Sequence, residues 1–371
     1  MRKVAVLFGG KSAEREISIL TGVFTYNLID RQIFEPIPVY FHTDGKAYSS
    51  SKMNTIDFFK SFHAEDCDEV IFSPSELLKV KKKKLKQFAK IAVAINCCHG
   101  GLGEGGGVSA IMQWNGIPLA SPAIAASGIF LDKSMTKLVA KGLGIPVLDY
   151  MRISEIDYKK RGCFLLKNIE NRLGFPVVVK PARQGSSIGI GVAGTEESAK
   201  EALENAFAFD DLAILERYLE TKSDVNCAVC RKNGEIVVSE PEIAYTSEGI
   251  YTFEDKYLNR NEMLRGKGRG QVRDLDKKTA ELIKTYTKTL YKKTDMFGVV
   301  RMDYLLSDGE VYLSEVNTVP GSLAYYLFCE RLTDAKNFLS DLLLEAITKS
   351  KEPPKLCPET GVLDGLKFKR K

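Results

Sequence analysis

Two short runs near the C-terminal end carry the residue types best suited to chemistry, Arg301-Met302-Asp303 and Glu315-Val316-Asn317. Both lie in alternating apolar and polar stretches, Gly298–Leu306 and Glu310–Val316, and Ser307-Asp308-Gly309 between them reads as a hairpin turn. Alternation puts Arg301 and Asp303 on one face of the first strand, and Glu315 and Asn317 on one face of the second. Four polar groups on paired, otherwise apolar strands are costly to bury without a charged partner. Two carboxylates and an amide oxygen are hard ligands suited to Mg²⁺, which commonly bridges to phosphate oxygens. The arginine adds a forked donor for a phosphate or a developing oxyanion. A buried ion pair of Arg301 with Asp303 or Glu315 is the plainer alternative, and the pattern alone leaves it open.

Upstream, Val177-Val178-Val179-Lys180-Pro181 delivers a lysine at a strand end, directly before the Gly/Ser loop Gln184–Gly191. Glycines let backbone N–H groups approach a phosphate while the lysine supplies charge. The loop is not a P-loop, which places its lysine after the glycines; read by itself it could equally be a plain turn. The strand Ala213–Glu216 turns polar at Glu216, and Asp224 follows. An adenine can bond to such a strand edge and a carboxylate can hold ribose hydroxyls, although by pattern alone both acids read as surface residues.

The elements that must position these groups follow from periodicity. Strands are predicted at Val4–Phe8, Glu35–Phe41 and Ile91–Cys97, with helices at Ile17–Ile29 and Val108–Asn115. Strands alternating with helices imply a parallel α/β domain with ligands at the strands' carboxyl ends. Polar or glycine-rich runs follow two of those ends, Gly9 to Glu14 and His99 to Glu104. Further helices are predicted around Asp132–Gly144, Glu196–Ala208, Asp276–Asp295 and Ala335–Ser350, and strands at Val225–Arg231 and Glu235–Ile243.

Composition narrows the partners. At 371 residues the chain is long enough for two or three domains, and 44% hydrophobic with 27% charged residues is ordinary for a globular protein. The net charge of +5 is not gathered into a nucleic-acid-binding stripe. The densest basic cluster (Lys79, Lys81 to Lys84, Lys86) reads as a solvated helix face or loop end. The first apolar run is too short for a signal peptide and no eighteen-residue apolar run exists, so no membrane partner and a cytoplasmic location are expected. Eight cysteines then read as reduced thiols. Cys227 and Cys230 lie three apart on a predicted strand, on opposite faces, and cannot share a metal; Cys97 and Cys98 read as core. His42 and His63 read as solvent-exposed.

These pieces, in this order, resemble the ATP-grasp superfamily and, more closely, the D-alanine–D-alanine ligases, over about residues 2 to 345. The markers are the run Phe8 to Ser18; His99-Gly100-x-x-Gly103-Glu104; Asp132-Lys133-x-x-x-Lys137; Val179-Lys180-Pro181 with Gly185-Ser186-Ser187-x-Gly189; Lys256-Tyr257; Arg301-x-Asp303; and Glu315-x-Asn317-Thr318-x-Pro320-Gly321. The resemblance implies an ATP-grasp fold, α/β and in part α+β: an N-terminal parallel α/β domain (1–130), a central ATP-grasp subdomain with the phosphate loop (131–220), a C-terminal ATP-grasp subdomain with metal and lid residues (221–350) and an appendage (351–371). It implies that Lys133, Lys180 and Lys256 hold ATP phosphates, with Ser186 and Ser187 closing over them. Glu216, Arg217 and Leu219 would line the adenine pocket and Asp224 would bind ribose. Asp303, Glu315 and Asn317 would bind two Mg²⁺ (or Mn²⁺) ions. Glu14 would take the first substrate's ammonium, with His99 near its carboxyl group. Arg301 and Gly321 would stabilise the tetrahedral intermediate, and Glu14, Ser186 and Tyr257 would form a hydrogen-bonded set. The implied activity is ATP-dependent dipeptide formation from small amino acids such as D-alanine, for peptidoglycan synthesis, by a homodimer.

Three departures gather at the acceptor half. One acid is missing at Gly103-Glu104-Gly105-Gly106; the run Ser322-Leu323-Ala324-Tyr325-Tyr326 puts Tyr326 where the family has a carboxylate-binding serine; and the lid, Asn259 to Gly270, carries Arg260, Arg265, Lys267 and Arg269. A ligase of the same family using a different acceptor is therefore the first alternative, and a non-catalytic nucleotide-binding regulator the second. The absence of a lid histidine argues against a hydroxy-acid acceptor.

Overall fold

The computed structural model describes residues 1–244 and 275–351, and three sheets organise them. The first holds β1 (Arg2–Gly9), β2 (Phe34–Phe41), β3 (Ala47–Ser49), β4 (Asp68–Ser73), β5 (Glu76–Lys81), β6 (Lys84–Lys90) and β7 (Val93–Asn96), in the spatial order 6-5-4-3-2-1-7. β1 is parallel to both β2 and β7, and its continuous apolar run is buried on both faces. Helix α1 (Arg15–Leu28) is the crossover from β1 to β2. The parallel reading holds for these three strands. β3 to β6 form an antiparallel extension that periodicity did not separate from loop, because β3 is only three residues long and β5 and β6 are rich in lysine. The lysine cluster accordingly sits on a β5–β6 hairpin, not on a helix face. Lys82 and Lys83 make the turn at φ 49° and 63°, and Lys79 faces Lys86 across the pair.

Short α2 (Asp57–Lys60), α3 (Val108–Trp114), α4 (Ile124–Leu131) and α5 (Lys133–Gly142) follow. Sheet two, in the order 10-9-11-8, contains β8 (Tyr150–Ser154), β9 (Val177–Pro181), β10 (Gly191–Ala193) and β11 (Leu212–Arg217), backed by α6 (Glu155–Leu173) and α7 (Glu196–Phe207). β8 and α6 have no counterpart in the sequence reading. Their apolar positions, such as Met151, Ile153, Leu165 and Ile169, form one core with Val177 and Leu215.

Sheet three joins β12 (Ser223–Lys232), β13 (Glu235–Val238), β14 (Glu242–Ala244), β15 (Val300–Ser307) and β16 (Glu310–Asn317), with α8 (Lys277–Lys293) against it and α9 (Leu332–Lys349) closing the described chain. The single strand expected at Glu235–Ile243 is two. Pro241 has no N–H to give a ladder, and Ser239 leaves the strand to donate its backbone N–H to Ala228 and accept that residue's N–H on its hydroxyl. The β15–β16 turn has only Asp308 and Gly309 between paired Ser307 and Glu310, both at positive φ (52° and 79°), the backbone that a two-residue hairpin favours.

Cys227 packs in the core shared by α8 and sheet three, whereas Cys230 packs with the first sheet and α9, so the two thiols do lie on opposite faces. Burial pushes their thiols up to about 11 and about 12, and Cys97 and Cys98 are buried as well. His63 is exposed, but His42 is half-buried, its ring stacked at 4.9 Å on Phe62.

Candidate active site

The loops after β1 and β7 meet over α1. Ser18 accepts the Gly9 N–H (2.6 Å) and donates to the Cys97 carbonyl (2.8 Å), and Ser12 donates to the His99 carbonyl (2.6 Å). Glu14, just before α1, is thereby held buried, and Ser186 from the loop after β9 donates to its Oε1 at 2.5 Å across 172 residues of sequence. A Cβ at Gly185 would stand 2.6 Å from both Glu14 carboxylate oxygens, so a side chain there would have to push the acid aside for the loop to close on it. Ser186 and Ser187 adopt left-handed backbone (φ 51° and 60°), a strained choice for non-glycine residues that recurs at ligand-holding loops.

His99 is buried with Nε2 2.9 Å from Thr21 Oγ1, and Thr21 also accepts the Ser322 N–H at 3.2 Å. Burial, then the Arg301 charge, depresses the imidazole to about 3, so it is neutral at physiological pH. Glu104 accepts the Gly100 N–H on Oε2 (2.8 Å) and, on Oε1, the Thr318 hydroxyl and Val319 N–H (both 3.3 Å). It thus ties the first sheet's loop to the segment after β16. Burial and the nearby Glu14 raise its carboxyl to about 7. At Gly105, the position of the missing acid, a Cβ would point at Leu131, 2.8 Å from its Cδ2.

The β15–β16 register sets Arg301 opposite Asn317 and Asp303 opposite Glu315. Arg301 forks Asp303, with Nε to Oδ1 and Nη2 to Oδ2 both at 2.7 Å, and Asn317 donates to Oδ2 at 3.0 Å. The plain ion pair and the polar cluster are therefore both present. Among the described residues no three His, Cys, Asp or Glu side chains are grouped for a metal; any divalent site here depends on the Asn317 amide oxygen as third donor. That set of hard oxygens fits Mg²⁺. Lys133 reaches the same place from α5, whose start is capped by Asp132 (Oδ1 accepting from Ser134 N at 2.8 Å), and its Nζ donates to the Gln184 carbonyl at 2.5 Å and lies 3.6 Å from Glu315 Oε2.

Two cavities adjoin. One, about 590 Å³ with its open mouth, is lined by Glu14, His99, Glu104, Lys133, Ser186, Arg301, Glu315, Asn317 and Gly321. The other, about 980 Å³ on the same measure, is walled by Lys133, Lys180, Ser187, Glu216, Arg217, Leu219, Asp224, Asp303 and Glu315. Lys133, Gln184, Gly185 and Glu315 belong to both. Within the second, Glu216 is buried, and Lys180 donates to its Oε2 at 2.5 Å; Asp224 pairs with Lys222 at 2.8 Å. Burial opposes a charge on Glu216, but two lysines outweigh it and hold the carboxyl at about 2.

Two profiles of known families match this chain: D-ala D-ala ligase N-terminus over residues 3–122, and D-ala D-ala ligase C-terminus over residues 139–347. The chain belongs to the D-alanine–D-alanine ligase family. A D-alanine–D-alanine ligase of Campylobacter jejuni is 31% identical over 354 residues, covering 94% of this chain and 95% of the relative. One of Thermosipho melanesiensis is 28% identical over 98% of each. The crystal structure of the ligase from Helicobacter pylori superposes with a TM-score of 0.73 at 27% identity, over 95% of this chain and 100% of that one.

Of the residues that the family pattern singles out, Ser322 and Tyr326 line neither cavity. Ser322, Leu323 and Ala324 form a left-handed turn (φ 51°, 54° and 50°), and Tyr326 reaches the site through its hydroxyl, 3.2 Å from Arg301 Nη1. Lys256, Tyr257 and the basic lid lie outside the described residues. Thr21 and Glu104 were not assigned roles from sequence. Their signal was faint: Thr21 is one polar residue in a buried helix stripe, and Glu104 stood in a recognised motif without a partner to explain it.

Proposed function

We propose that this protein joins two small amino acids, D-alanine first among them, by ATP-driven formation of an acyl phosphate, supplying a dipeptide for peptidoglycan precursors. The observation that carries this reading is the shared wall of the two cavities. A nucleotide in the cleft beside Lys180 and Glu216 would point its terminal phosphate at Lys133, the group that also borders the amino-acid cavity.

In this reading Glu14 holds the first substrate's ammonium, and neutral His99 lies near its carboxyl group. That carboxylate attacks the γ-phosphorus, the bond from γ-phosphorus to the bridging oxygen breaks and ADP leaves with that oxygen, while Lys133 and Lys180 balance the phosphate charge and the Ser186-Ser187 loop orients it. Asp303, Glu315 and Asn317 would hold Mg²⁺, which supplies charge neutralisation on the phosphate oxygens. The second, neutral amine attacks the acyl carbon, Arg301 and the Gly321 N–H stabilise the oxyanion, and the acyl C–O bond breaks so that phosphate leaves, taking up the proton lost by the amine. Domain limits of 1–130, 131–220, 221–350 and 351–371, and a homodimer, are part of the same proposal. No described helix is long and apolar enough to cross a membrane.

Tyr326 favours a second reading, in which the acceptor is an amino acid other than D-alanine. Its phenol accepts from Arg301 Nη1 (3.2 Å) where the family pattern has a small serine. Trapping separates activation from acceptor choice: hydroxylamine added with ATP, Mg²⁺ and D-alanine should yield D-alanine hydroxamate. Hydroxamate without dipeptide selects the second reading, and no hydroxamate from any amino acid overturns both.

A further inference from the structure

Behind the nucleotide cleft lies a lysine that the mechanism above does not use. Lys137 stands one turn after Lys133 on α5, is only 1% exposed, and places Nζ 2.5 Å from Glu216 Oε1, while Lys180 takes Oε2 at 2.5 Å. The Lys137 ammonium has no well-aligned hydrogen bond and is held by charge, under the Tyr150 ring at 5.8 Å. Glu216 and Lys180 line the cleft; Lys137 does not. One carboxylate thus sits between two ammonium groups, one facing the ligand and one facing the core.

Burying a second lysine costs desolvation that a single Lys180–Glu216 pair would avoid, and burial does depress the Lys137 ammonium. The arrangement makes sense if Lys180 is not a permanent partner. When a nucleotide's phosphates draw Lys180 away, a Glu216 without Lys137 would be a buried unpaired anion and would take up a proton. With Lys137 it stays a carboxylate, able to accept from an exocyclic amine and unable to donate to a carbonyl.

Resting on the reading of this cleft as the nucleotide site, we propose that Lys137 is a positioning residue that keeps Glu216 ionised and in place while Lys180 serves the phosphates, and so sets preference for a 6-aminopurine over a 6-oxopurine. The test compares wild type, Lys137→Met and Lys137→Arg in the full chain, with ATP and inosine triphosphate titrated calorimetrically and by thermal shift in Mg²⁺ buffer.

Wild type should bind ATP in preference to inosine triphosphate. Lys137→Met should weaken ATP by about tenfold or more, as expected for stranding a buried charged partner, and narrow the preference, with Lys137→Arg restoring most of both. The ligand-free melting temperature of Lys137→Met should hold within a few degrees, because Glu216 keeps Lys180. Equal ATP affinity and equal purine preference in Lys137→Met overturn the proposal, as does a large loss of ligand-free stability that Lys137→Arg repairs without purine preference having changed. Failure of wild type to bind ATP instead removes the nucleotide reading itself.

Discussion

Glu104 makes the pH dependence of stability calculable. Its carboxyl is raised from the ordinary 4.5 to about 7, chiefly by burial and next by Glu14. Because the folded value lies above the unfolded one, the folded state binds the extra proton between them. The stabilisation is full below pH 4.5 and is lost as pH rises through 7. Raising the pH from 5 to 8 ionises this buried group in the folded state and costs the fold on the order of 2 to 3 kcal/mol. His99 faces the same cavity and has a shifted imidazole of its own, so the clean quantity is a double difference. Urea unfolding of wild type and Glu104→Gln at pH 5 and pH 8 should show the variant gaining on the order of 2 to 3 kcal/mol on wild type as pH is raised. The amide keeps an acceptor for the Gly100 N–H, so the fold should persist. A stability gap that is the same at both pH values would refute the reasoning, since the raised carboxyl would then not exist.

Other outcomes follow from the same geometry. Ser186→Ala removes a buried hydrogen bond to Glu14, about 1–3 kcal/mol, and should lower kcat/KM for the first amino acid by ~10-fold or more in a phosphate-release assay; an effect below threefold would contradict the Glu14–Ser186 link. Glu315→Gln should abolish turnover with unchanged far-ultraviolet circular dichroism, and unchanged activity would remove Glu315 from the metal set. Tyr326→Phe should change the second amino acid's KM severalfold with little effect on hydroxamate formation, and Tyr326→Ser should improve D-alanine as acceptor; a loss of hydroxamate formation in Tyr326→Phe would place the tyrosine in the activation step instead.

Legibility in the sequence tracked how local each constraint is. The β15–β16 hairpin could be read because period-two alternation and Asp308-Gly309 specify both face and register, and the register sets Asp303 opposite Glu315. The pair Glu14–Ser186 was available only through family resemblance, since nothing in the spacing of residues 172 apart declares a contact. Lys137 stood in a family motif without a role, and Thr21 went unread, because each acts through another side chain, Glu216 and His99, brought from a distant element. The β3–β6 extension escaped because β3 is very short and the lysine-rich β5 and β6 toward the sheet edge carry little hydrophobic signal, lysine being one way that edges are kept from pairing.

The central claim is that cleavage of ATP in one cavity drives peptide-bond formation in its neighbour. Its most direct test is a stoichiometry: phosphate release and D-alanyl-D-alanine, the latter by mass spectrometry, measured in one reaction with ATP, Mg²⁺ and D-alanine. Equal amounts of phosphate and dipeptide are predicted. ATP cleavage that neither depends on an amino acid nor yields a dipeptide with any of them would contradict the account.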